Sequence, residues 1–218
     1  MIPELIDGEL TFLCGPVASG KTYLARKWYE SQERAIMFDT SAELDDLPGE
    51  HFWSTPRKFA ERIELSETQN EGYHLVYHPG TDASMGFEWV VRAIWQPLEP
   101  RLLICEEVHE FMSPTFEHEH MRIVSKYARK RNLGFVGVSQ RIADTHRNFT
   151  SACRRTILFY TQEARDIDAI VDRWGIDAGN QVSALRPLIY RDGSGTVEQT
   201  PQALLIERGQ APVVIEVG

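Results

Sequence analysis

The sequence lacks any apolar run near the ~18 residues that a membrane-spanning helix needs, so we expect no membrane insertion. Its first residues, Met1-Ile2-Pro3-Glu4, lack the basic and apolar regions of a secretory signal. Only three cysteines occur, each isolated and outside any Cys-x-x-Cys spacing: Cys14, Cys105 and Cys153. This pattern argues against a disulfide framework or a zinc site and predicts a protein of the reducing cytoplasm.

The chain also lacks internal repeats, low-complexity tracts and any Pro/Gly/Ser-rich linker that would divide it. Domains commonly contain ~100–200 residues. A chain of 218 residues is therefore long enough to bury a full core and is most simply a single unit. We predict one domain that spans residues 1–218.

Positive charge is scarce overall but concentrated in one segment. The formal net charge of -9 would count against a nucleic-acid-binding protein. From Arg122 to Arg155, however, nine basic side chains and one acid, Asp144, give +8, which leaves -17 elsewhere. A solvated helix face with a loop would explain this basic segment, and so would a surface that contacts phosphates. We favour the second explanation because the segment flanks two predicted catalytic elements.

Short apolar runs alternate with helical segments, which indicates a parallel sheet covered by helices. The predicted strands are Leu10–Cys14, Ala35–Phe38, Tyr73–Tyr77, Leu102–Cys105, Phe135–Val138, Thr156–Tyr160, Ala203–Glu207 and Pro212–Val217, the last two a hairpin around Arg208-Gly209. The predicted helices are Thr22–Glu30, Pro56–Leu65 with Thr55 as its cap, Ser84–Trp95, Thr115–Arg131 and Asp166–Trp174, which Gly175 ends. We expect four tryptophans in the core: Trp28, Trp53, Trp89 and Trp95.

A glycine-rich loop lies between the first predicted strand and the first predicted helix. It matches G-x-x-x-x-G-K-[ST] over eight residues, Gly15, Pro16, Val17, Ala18, Ser19, Gly20, Lys21 and Thr22. Backbone N–H groups of such a loop surround a β-phosphate, and the helix N-terminus adds a favourable partial charge. Lys21 would contact the β- and γ-phosphates, and the Thr22 hydroxyl would bind Mg²⁺. The loop therefore predicts ATP and Mg²⁺ as cofactors.

Two acids, Glu106 and Glu107, follow the buried strand Leu102–Cys105. At such a strand end the first acid reaches a metal ion and the second faces the γ-phosphate. We assign Glu106 to Mg²⁺ and Glu107 to the attacking water; the alternative is that both acids cap the next helix. The separation of 85 positions from Lys21 to Glu106 favours an ATP-hydrolysing motor over a small-molecule kinase.

A polar amide, Gln140, ends the predicted strand Phe135–Val138 and can hydrogen-bond the γ-phosphate or its water. The run ARKRNLG, residues 128–134, followed by FVGVSQR, residues 135–141, resembles a block of the HerA/FtsK superfamily of nucleic-acid-pumping ATPases. In that family an Arg precedes the strand and a Gln ends it. The resemblance implies that Gln140 is the sensor and that Arg129 is an arginine finger inserted into a neighbouring subunit's site, with Arg131 as the alternative finger.

Two more stretches resemble the same superfamily, so the likeness covers most of the chain. Residues 36–43 (IMFDTSAE) are similar to its second-strand block, which would place Asp39 and Glu43 near the nucleotide, although strand-end caps are an equal alternative. Residues 204–215 look like its closing segment. The sequence departs from the family at Glu106, where Asp is usual, and at Ile142, where Pro is frequent. The longer Glu106 would change the metal geometry, reaching magnesium only through water.

The resemblance implies a P-loop NTPase fold, an α/β/α three-layer sandwich with a mainly parallel, RecA-like central sheet of the additional-strand type. It also implies an ATP-hydrolysing DNA translocase that forms a homo-oligomeric ring, a hexamer or a pentamer. The basic segment would contact double-stranded DNA. Compact members of the superfamily include genome-packaging ATPases of membrane-containing icosahedral viruses, and for such a member a capsid vertex is an expected docking partner.

Three alternatives stay open on the sequence alone. The first is a phage morphogenesis or secretion ATPase of the zonula-occludens-toxin type, although those ATPases carry a membrane helix. The second is a P-loop small-molecule kinase, with the basic segment as its lid, and the third is a scaffold that binds ATP and barely hydrolyses it.

Among weaker signals, we expect residues 117–120 (EHEH) to be a solvated helix face, His109 to pack in a helix, and Tyr127 to be able to touch nucleic acid.

Overall fold

The computed structural model describes residues 5, 8–97, 99–190 and 197–218. Thirteen strands lie in these ranges: β1 (Leu10–Cys14), β2 (Arg34–Phe38), β3 (Glu50–Trp53), β4 (Tyr73–His78), β5 (Arg101–Cys105), β6 (Met112–Ser113), β7 (Phe116–Glu117), β8 (Leu133–Ser139), β9 (Arg155–Phe159), β10 (Ile189–Tyr190), β11 (Val197–Gln199), β12 (Gln202–Glu207) and β13 (Val213–Glu216). The α-helices are α1 (Lys21–Ser31), α2 (Pro56–Gln69), α3 (Ala83–Trp95), α4 (Glu119–Tyr127), α5 (Arg147–Ala152), α6 (Ala164–Trp174) and α7 (Ile176–Ser183).

Nine strands form one sheet in the order β13-β12-β9-β1-β8-β5-β2-β4-β3. All neighbouring pairs from β9 to β3 are parallel. Strands β12 and β13 form an antiparallel hairpin, as predicted, and β12 adds to the edge beside β9, a placement that was not predicted. Strand β8 lies between β1 and β5, so the strand that separates the glycine-rich loop from the acid pair comes after both of them in the sequence.

The two faces of the sheet bury separate apolar clusters, which makes the molecule three layers thick. On β1, Leu13 belongs to the cluster that α1 covers through Leu24 and Trp28. Phe12, one residue earlier, belongs to the cluster on the opposite face, where α2 to α7 contribute their buried side chains. Because successive side chains of a strand point to opposite faces, one strand supplies both cores. The α/β/α sandwich with a mainly parallel sheet is confirmed.

The larger cluster is centred on aromatic rings beside β2. Phe38 is fully buried, and its ring packs against those of Tyr77, Phe87 and Phe111 at centroid distances of 5.7 to 5.8 Å. Edge-to-face and stacked ring pairs of this kind add to the stabilisation from burial alone. This cluster fixes the carboxyl ends of β2 and β4 against α3.

One predicted helix is wrong over its first turn. Residues 115–118, predicted as the start of the helix Thr115–Arg131, are not helical, because Phe116–Glu117 form β7, which pairs antiparallel with β6, and α4 begins only at Glu119. His118 precedes α4, and its Nδ1 accepts a hydrogen bond from the His120 N–H, at 3.2 Å. The helix then ends at Tyr127 and continues as a 3₁₀ turn, Ala128–Arg131. The expected solvated helix face at residues 117–120 is therefore wrong for Glu117 and His118.

The core prediction also fails at two of the four tryptophans. Trp28 is buried and Trp95 is half-buried, but Trp53 and Trp89 are 54% and 46% exposed. Trp53 lies on the edge strand β3 and stacks on the His78 ring at a centroid distance of 3.8 Å. At the predicted cap of α2, Thr55 occupies the N-cap position but its side chain makes no capping hydrogen bond.

Strand β3, helices α5 and α7 and the pair β10-β11 were not predicted. These elements are short and contain few apolar residues, so their periodicity is weak. Strand β3 (EHFW) has a single buried residue, Phe52, because it lies at the edge of the sheet. Position in the sheet, which depends on distant residues, decides whether such a segment pairs at all.

We predict that Phe38→Ala lowers the free energy of unfolding by ~3–5 kcal/mol, because it leaves a cavity among three rings. Trp89→Ala is the matched control on the surface of α3, and we expect a change within ~1 kcal/mol. Urea unfolding followed by circular dichroism measures both. Equal losses for the two variants would contradict the described core.

Candidate active site

The glycine-rich loop follows β1 and curls before α1. Gly15 lies so close to β9 that a Cβ there would be 2.6 Å from the Phe159 Cβ. Gly20 has φ +103°, in the left-handed region that disfavours side chains, and precedes the first residue of α1, Lys21. The Gly15 N–H donates to the Ser139 carbonyl at 3.3 Å, which ties the loop to the end of β8. The sequence GPVASGKT thus forms a turn with exposed backbone at the carboxyl edge of the sheet.

Lys21 and Thr22 open α1 with different surroundings. The Lys21 ammonium donates to the Pro16 carbonyl at 2.8 Å, within the loop itself. Burial lowers the pKa of Lys21, although the nearby Cys14, Glu106 and Glu107 partly offset this. Thr22 is exposed to the cleft that the loop borders. The Lys21 side chain is thus held by a backbone carbonyl of the loop. A bound anion could replace this carbonyl as the partner of the ammonium.

Glu106 follows β5 and is 8% exposed. Its N–H donates to the Phe38 carbonyl at 3.0 Å, which extends the β2-β5 ladder by one bond. Its Oε1 is buried and has no hydrogen-bond partner among the described residues. Burial, and then the charge of Glu107, raise its pKa to about 7. An uncompensated buried carboxylate is costly, so the site suits a cation.

Glu107 adopts a left-handed backbone, φ 49°, directly after Glu106. Its Oε1 accepts a hydrogen bond from the Gln140 amide at 2.6 Å, and its Oε2 lies 3.2 Å from His109 Nδ1. Burial acts to raise the pKa of Glu107, but His109, Gln140 and Lys21 outweigh it, and the net pKa is lowered. The acid therefore stays ionised while its neighbour Glu106 holds a proton more readily.

The structure brings most of the predicted site residues into one cleft of about 180 Å³. It is lined by Val17, Ala18, Lys21, Thr22, Ser41, Glu43, Leu44, Glu106, Glu107 and Gln140. Their elements meet because the carboxyl ends of parallel strands lie on the same edge of a sheet, where open α/β sheets bind ligands. The cleft unites the loop after β1, the acids after β5 and the amide after β8.

The segment after β2 forms one wall of this cleft. Asp39 is fully buried, and its carboxylate accepts hydrogen bonds from the Leu44 N–H and the Ser41 hydroxyl at 3.0 and 3.1 Å. It is therefore a cap for its own loop, whereas Glu43 is exposed and lines the cleft. Behind the wall, Asp39 Oδ2 lies 3.2 Å from His78 Nδ1. His78 Nε2 lies 3.0 Å from His51 Nδ1, and His51 Nε2 lies 2.9 Å from the Leu47 carbonyl oxygen.

Solved structures with the same architecture are found, although no protein-family model and no curated protein matches the sequence. The genome-packaging NTPase B204 of Sulfolobus turreted icosahedral virus 2, in complex with ATP-gammaS, is similar with a TM-score of 0.74, 15% identity, and coverage of 96% of this chain and 98% of that one. B204 of Sulfolobus turreted icosahedral virus, a DNA-packaging ATPase, gives a TM-score of 0.72, 15% identity and 98% coverage of both chains.

A third similar structure is EccC of Thermomonospora curvata (ATPases 2 and 3), with a TM-score of 0.54 and 12% identity. The likeness covers 96% of this chain and 36% of that one. The chain has a P-loop NTPase fold. At these identities the likeness concerns the fold, and the roles of individual residues rest on the geometry of the cleft.

In this P-loop fold, Arg129 lies far from the cleft of its own chain. It is exposed on the 3₁₀ turn before β8, and its backbone packs against Gly8. Gln140 follows the other end of β8, whose seven residues span roughly 20 Å at ~3.3 Å each. Arg131, the alternative finger, is half-buried with its guanidinium 5.8 Å from the centroid of the Trp95 ring. Neither arginine can therefore reach the P-loop of the same chain.

The basic segment Arg122–Arg155 is divided between two edges of the sheet and partly neutralised. Four of its arginines form ion pairs with acids outside the segment: Arg141 with Glu163 and Asp166, Arg147 with Asp172, Arg154 with Glu9, and Arg155 with Glu207. The exposed remainder lies on α4 and the following turn: Arg122, Lys126, Arg129 and Lys130, beside Tyr127. The α4 basic cluster, as we name these four cations, is the part of the segment left for a partner.

Sequence reasoning missed an apolar pocket of about 210 Å³ beside the P-loop. It is lined by Gly20, Tyr23, Leu188, Val197, Thr200, Pro201, Val217 and Gly218. Most of these residues come from the last thirty positions of the chain but lie outside residues 204–215, the segment that resembles the superfamily, so only the folded chain places them next to α1. Sequence reasoning also missed His109, which lies on the 3₁₀ turn Val108–Glu110 and faces Glu107 instead of packing inside a helix.

None of the helices in the described part of the chain has the length and apolar character of a membrane-spanning helix. The three cysteines are free and buried, and burial raises the pKa of each thiol.

We predict that Glu106→Gln stabilises the protein at alkaline pH. The folded state binds a proton at Glu106 with a pKa of about 7, above the 4.5 of the unfolded chain, so wild-type stability falls as pH rises through this window. Without Mg²⁺, the variant should gain on the order of 2–3 kcal/mol at pH 8 and little at pH 5. Urea unfolding at both pH values measures this gain.

Glu64→Gln, an exposed change on α2, is the matched control and should give no pH-dependent gain. A Glu106→Gln variant that is no more stable than wild type at pH 8 would show that the carboxylate is not desolvated as described.

Proposed function

We propose that the chain is an ATP-hydrolysing DNA translocase, a viral genome-packaging motor that acts as a ring. One observation carries the ATPase part: the P-loop, Glu106, Glu107 and Gln140 line a single cleft, with Glu107 hydrogen-bonded to Gln140 at 2.6 Å. Residues 1–218 would act as one P-loop ATPase domain in the host cytoplasm or on the virion. The similarity to B204, described as a DNA-packaging ATPase, supports the packaging role.

Nucleotide binding would use the eight residues Gly15–Thr22. Backbone N–H groups of the loop would surround the phosphates, and the Lys21 ammonium would leave the Pro16 carbonyl for the β- and γ-phosphate oxygens. The apolar pocket beside Gly20 and Tyr23 is adjacent to the loop and has room for a nucleotide base.

Thr22 and Glu106 would hold Mg²⁺. Thr22 lines the cleft, and Glu106 Oε1 is a buried oxygen without a partner among the described residues. Oxygen ligands of this kind suit a hard divalent cation, which would neutralise charge on the phosphates. The long Glu106 side chain replaces the usual aspartate, so its contact through a bound water stays a prediction.

Glu107 is the candidate general base. Hydrolysis requires a water oxygen to attack the γ-phosphorus while the bond to the β–γ bridging oxygen breaks and the water proton passes to a base. The pKa of Glu107 is held low by His109 and Gln140, so its carboxylate is ready to accept this proton. Gln140 would leave Glu107 for the γ-phosphate or its water and so report whether ATP is intact.

The cation that would stabilise the transition state of hydrolysis is expected from another subunit. Arg129 lies at the opposite edge of the sheet from its own P-loop, so an arginine finger at this position can act only on a neighbouring molecule. A finger shared in this way requires a closed or continuous assembly, for which we propose a ring of five or six subunits, docked at a capsid vertex. Arg131 is less suited because its guanidinium stacks on Trp95.

DNA would meet the α4 basic cluster, where Tyr127 is exposed among the cations. Phosphate contacts made by Lys and Arg release counterions, so binding of duplex DNA should weaken steeply with salt. A small-molecule kinase is the alternative reaction for this cleft, but Arg141 and Arg147, the arginines that follow Gln140, are paired with acids on α6 or directly before it. That pairing leaves them poorly placed as a phosphate-covering lid.

We predict ATP hydrolysis that double-stranded DNA stimulates and that salt suppresses. Phosphate release is measured with and without duplex DNA over a range of salt concentrations. A kinase or a nucleotide-gated scaffold would show no stimulation by DNA. Stimulation that does not depend on salt would exclude the α4 basic cluster as the DNA-binding surface.

Two variants identify the site in the same assay. Glu107→Gln should bind ATP normally while its turnover falls by ~10²–10⁴-fold, since the general base is lost. Lys21→Ala should lose nucleotide binding itself. Full turnover by Glu107→Gln would show that Glu107 is not the general base.

We predict that Arg129→Ala binds ATP but loses most of its turnover, by ~10³-fold, because a finger contributes only to the transition state. Mixing it with Glu107→Gln subunits should restore part of the activity, since each mixed interface can combine an intact Glu107 with an intact Arg129. Lys130→Ala, on the same turn, is the control and should retain turnover without DNA. Absence of rescue in the mixture would contradict a finger that acts between subunits.

A further inference from the structure

His109 faces the catalytic cleft from the turn that follows the acid pair. Its Nδ1 lies 3.2 Å from Glu107 Oε2 and 3.5 Å from the Ser139 hydroxyl oxygen, at the end of β8. The Glu107 oxygen is buried and makes no aligned hydrogen bond in the described part of the chain. His109 therefore lies between the acid after β5 and the strand that carries Gln140.

The surroundings of His109 determine which nitrogen carries a proton. The Ser139 hydroxyl donates its proton to the Arg141 carbonyl at 3.1 Å, so its oxygen is left as an acceptor. The Glu107 carboxylate is also an acceptor. With these two acceptors in front of it, Nδ1 fits its surroundings as the protonated nitrogen, and we infer that it is the donor nitrogen at 3.2 Å from Glu107 Oε2.

The two oxygens of Glu107 therefore have different partners. Oε1 is bonded to Gln140, which would move to the γ-phosphate in the proposed mechanism, whereas Oε2 faces His109 on the 3₁₀ turn Val108–Glu110. Glu107 itself has a left-handed backbone, so its carboxylate direction is not fixed by an ordinary strand or helix. Once Gln140 leaves, His109 is the remaining described side chain at ion-pair distance from the carboxylate.

We propose that His109 is a positioning residue that holds Glu107 Oε2 and so directs Oε1 toward the attacking water. This inference rests on the proposed ATPase function. His109 contacts neither nucleotide nor water in this arrangement and acts through Glu107, and it also links Glu107 to the end of β8. Without it, the carboxylate rotates and the general base is misaligned when the sensor moves away.

The test compares three substitutions at one position. His109→Ala removes the N–H, and we expect kcat to fall by ~10–100-fold with the KM for ATP changed less than about twofold, because misplacing a base costs rate and not binding. His109→Asn keeps an N–H donor near the position of Nδ1 and should retain kcat within about threefold of wild type. His109→Gln places its donor farther out, near Nε2, and should resemble His109→Ala. Glu110→Gln, an exposed neighbour on the same turn, is the control and should match wild type.

A double-mutant cycle separates positioning from a structural role. If His109 acts through Glu107, adding His109→Ala to Glu107→Gln should lower the residual turnover no further, whereas an independent folding effect would be additive. Thermal unfolding of each variant identifies any that fails to fold, in which case the Asn and Gln pair alone decides the result.

The inference is overturned if His109→Ala has wild-type kcat, if His109→Asn is as slow as His109→Gln, or if the double mutant is additive. These results leave the ATPase proposal intact as long as the wild-type protein hydrolyses ATP. Absence of wild-type hydrolysis overturns the proposed function, and this inference with it.

Discussion

Parallel pairing of β5, β8 and β1 is the constraint on which the candidate site depends. The ladder aligns Cys14 with Ser139 and Cys105 with Gly137, so the P-loop, the acid pair and Gln140 all emerge at one edge. Strand β8 separates β1 from β5. It also bonds the P-loop directly, because its last carbonyl accepts a hydrogen bond from the N–H of the first P-loop glycine. The relative positions of the loops that line the cleft are thus set by backbone hydrogen bonds of a fully buried strand.

That edge collects groups that the fold itself leaves unsatisfied. A buried Glu106 oxygen without a described partner and a Glu107 backbone in a left-handed conformation each cost stability. The surrounding aromatic cluster around Phe38 and the two-sided core of the sheet offset these costs. A bound cation would relieve the uncompensated charge at Glu106. The function is therefore expected at this cleft and not in the core.

The sequence alone predicts what is locally encoded. The glycine spacing of residues 15–22, the four apolar residues before Glu106 and the amide after β8 each depend on a few neighbouring positions, and all three lie where expected. The α/β sandwich followed from alternating runs and is confirmed. His109 and the apolar pocket could not be found in this way, since their neighbours are brought together by tertiary contacts. Trp53 was assigned to the core by composition, but its strand is at the edge and its ring covers His78 from outside.

The pair of imidazoles behind the cleft has a consequence for proton balance. The Leu47 carbonyl requires a hydrogen on His51 Nε2, and one hydrogen must lie between His51 and His78. If both rings are neutral, the remaining nitrogen of His78 presents a lone pair to the Asp39 carboxylate and cannot donate to it. The chain of hydrogen bonds from Leu47 through His51 and His78 to Asp39 is therefore complete only when the two rings carry one additional hydrogen ion. Because burial lowers the pKa of His78, that hydrogen ion is released at a lower pH than an ordinary histidine would release it. The wall formed by residues 39–47 is therefore held more tightly at low pH than at high pH, through groups that do not line the cleft.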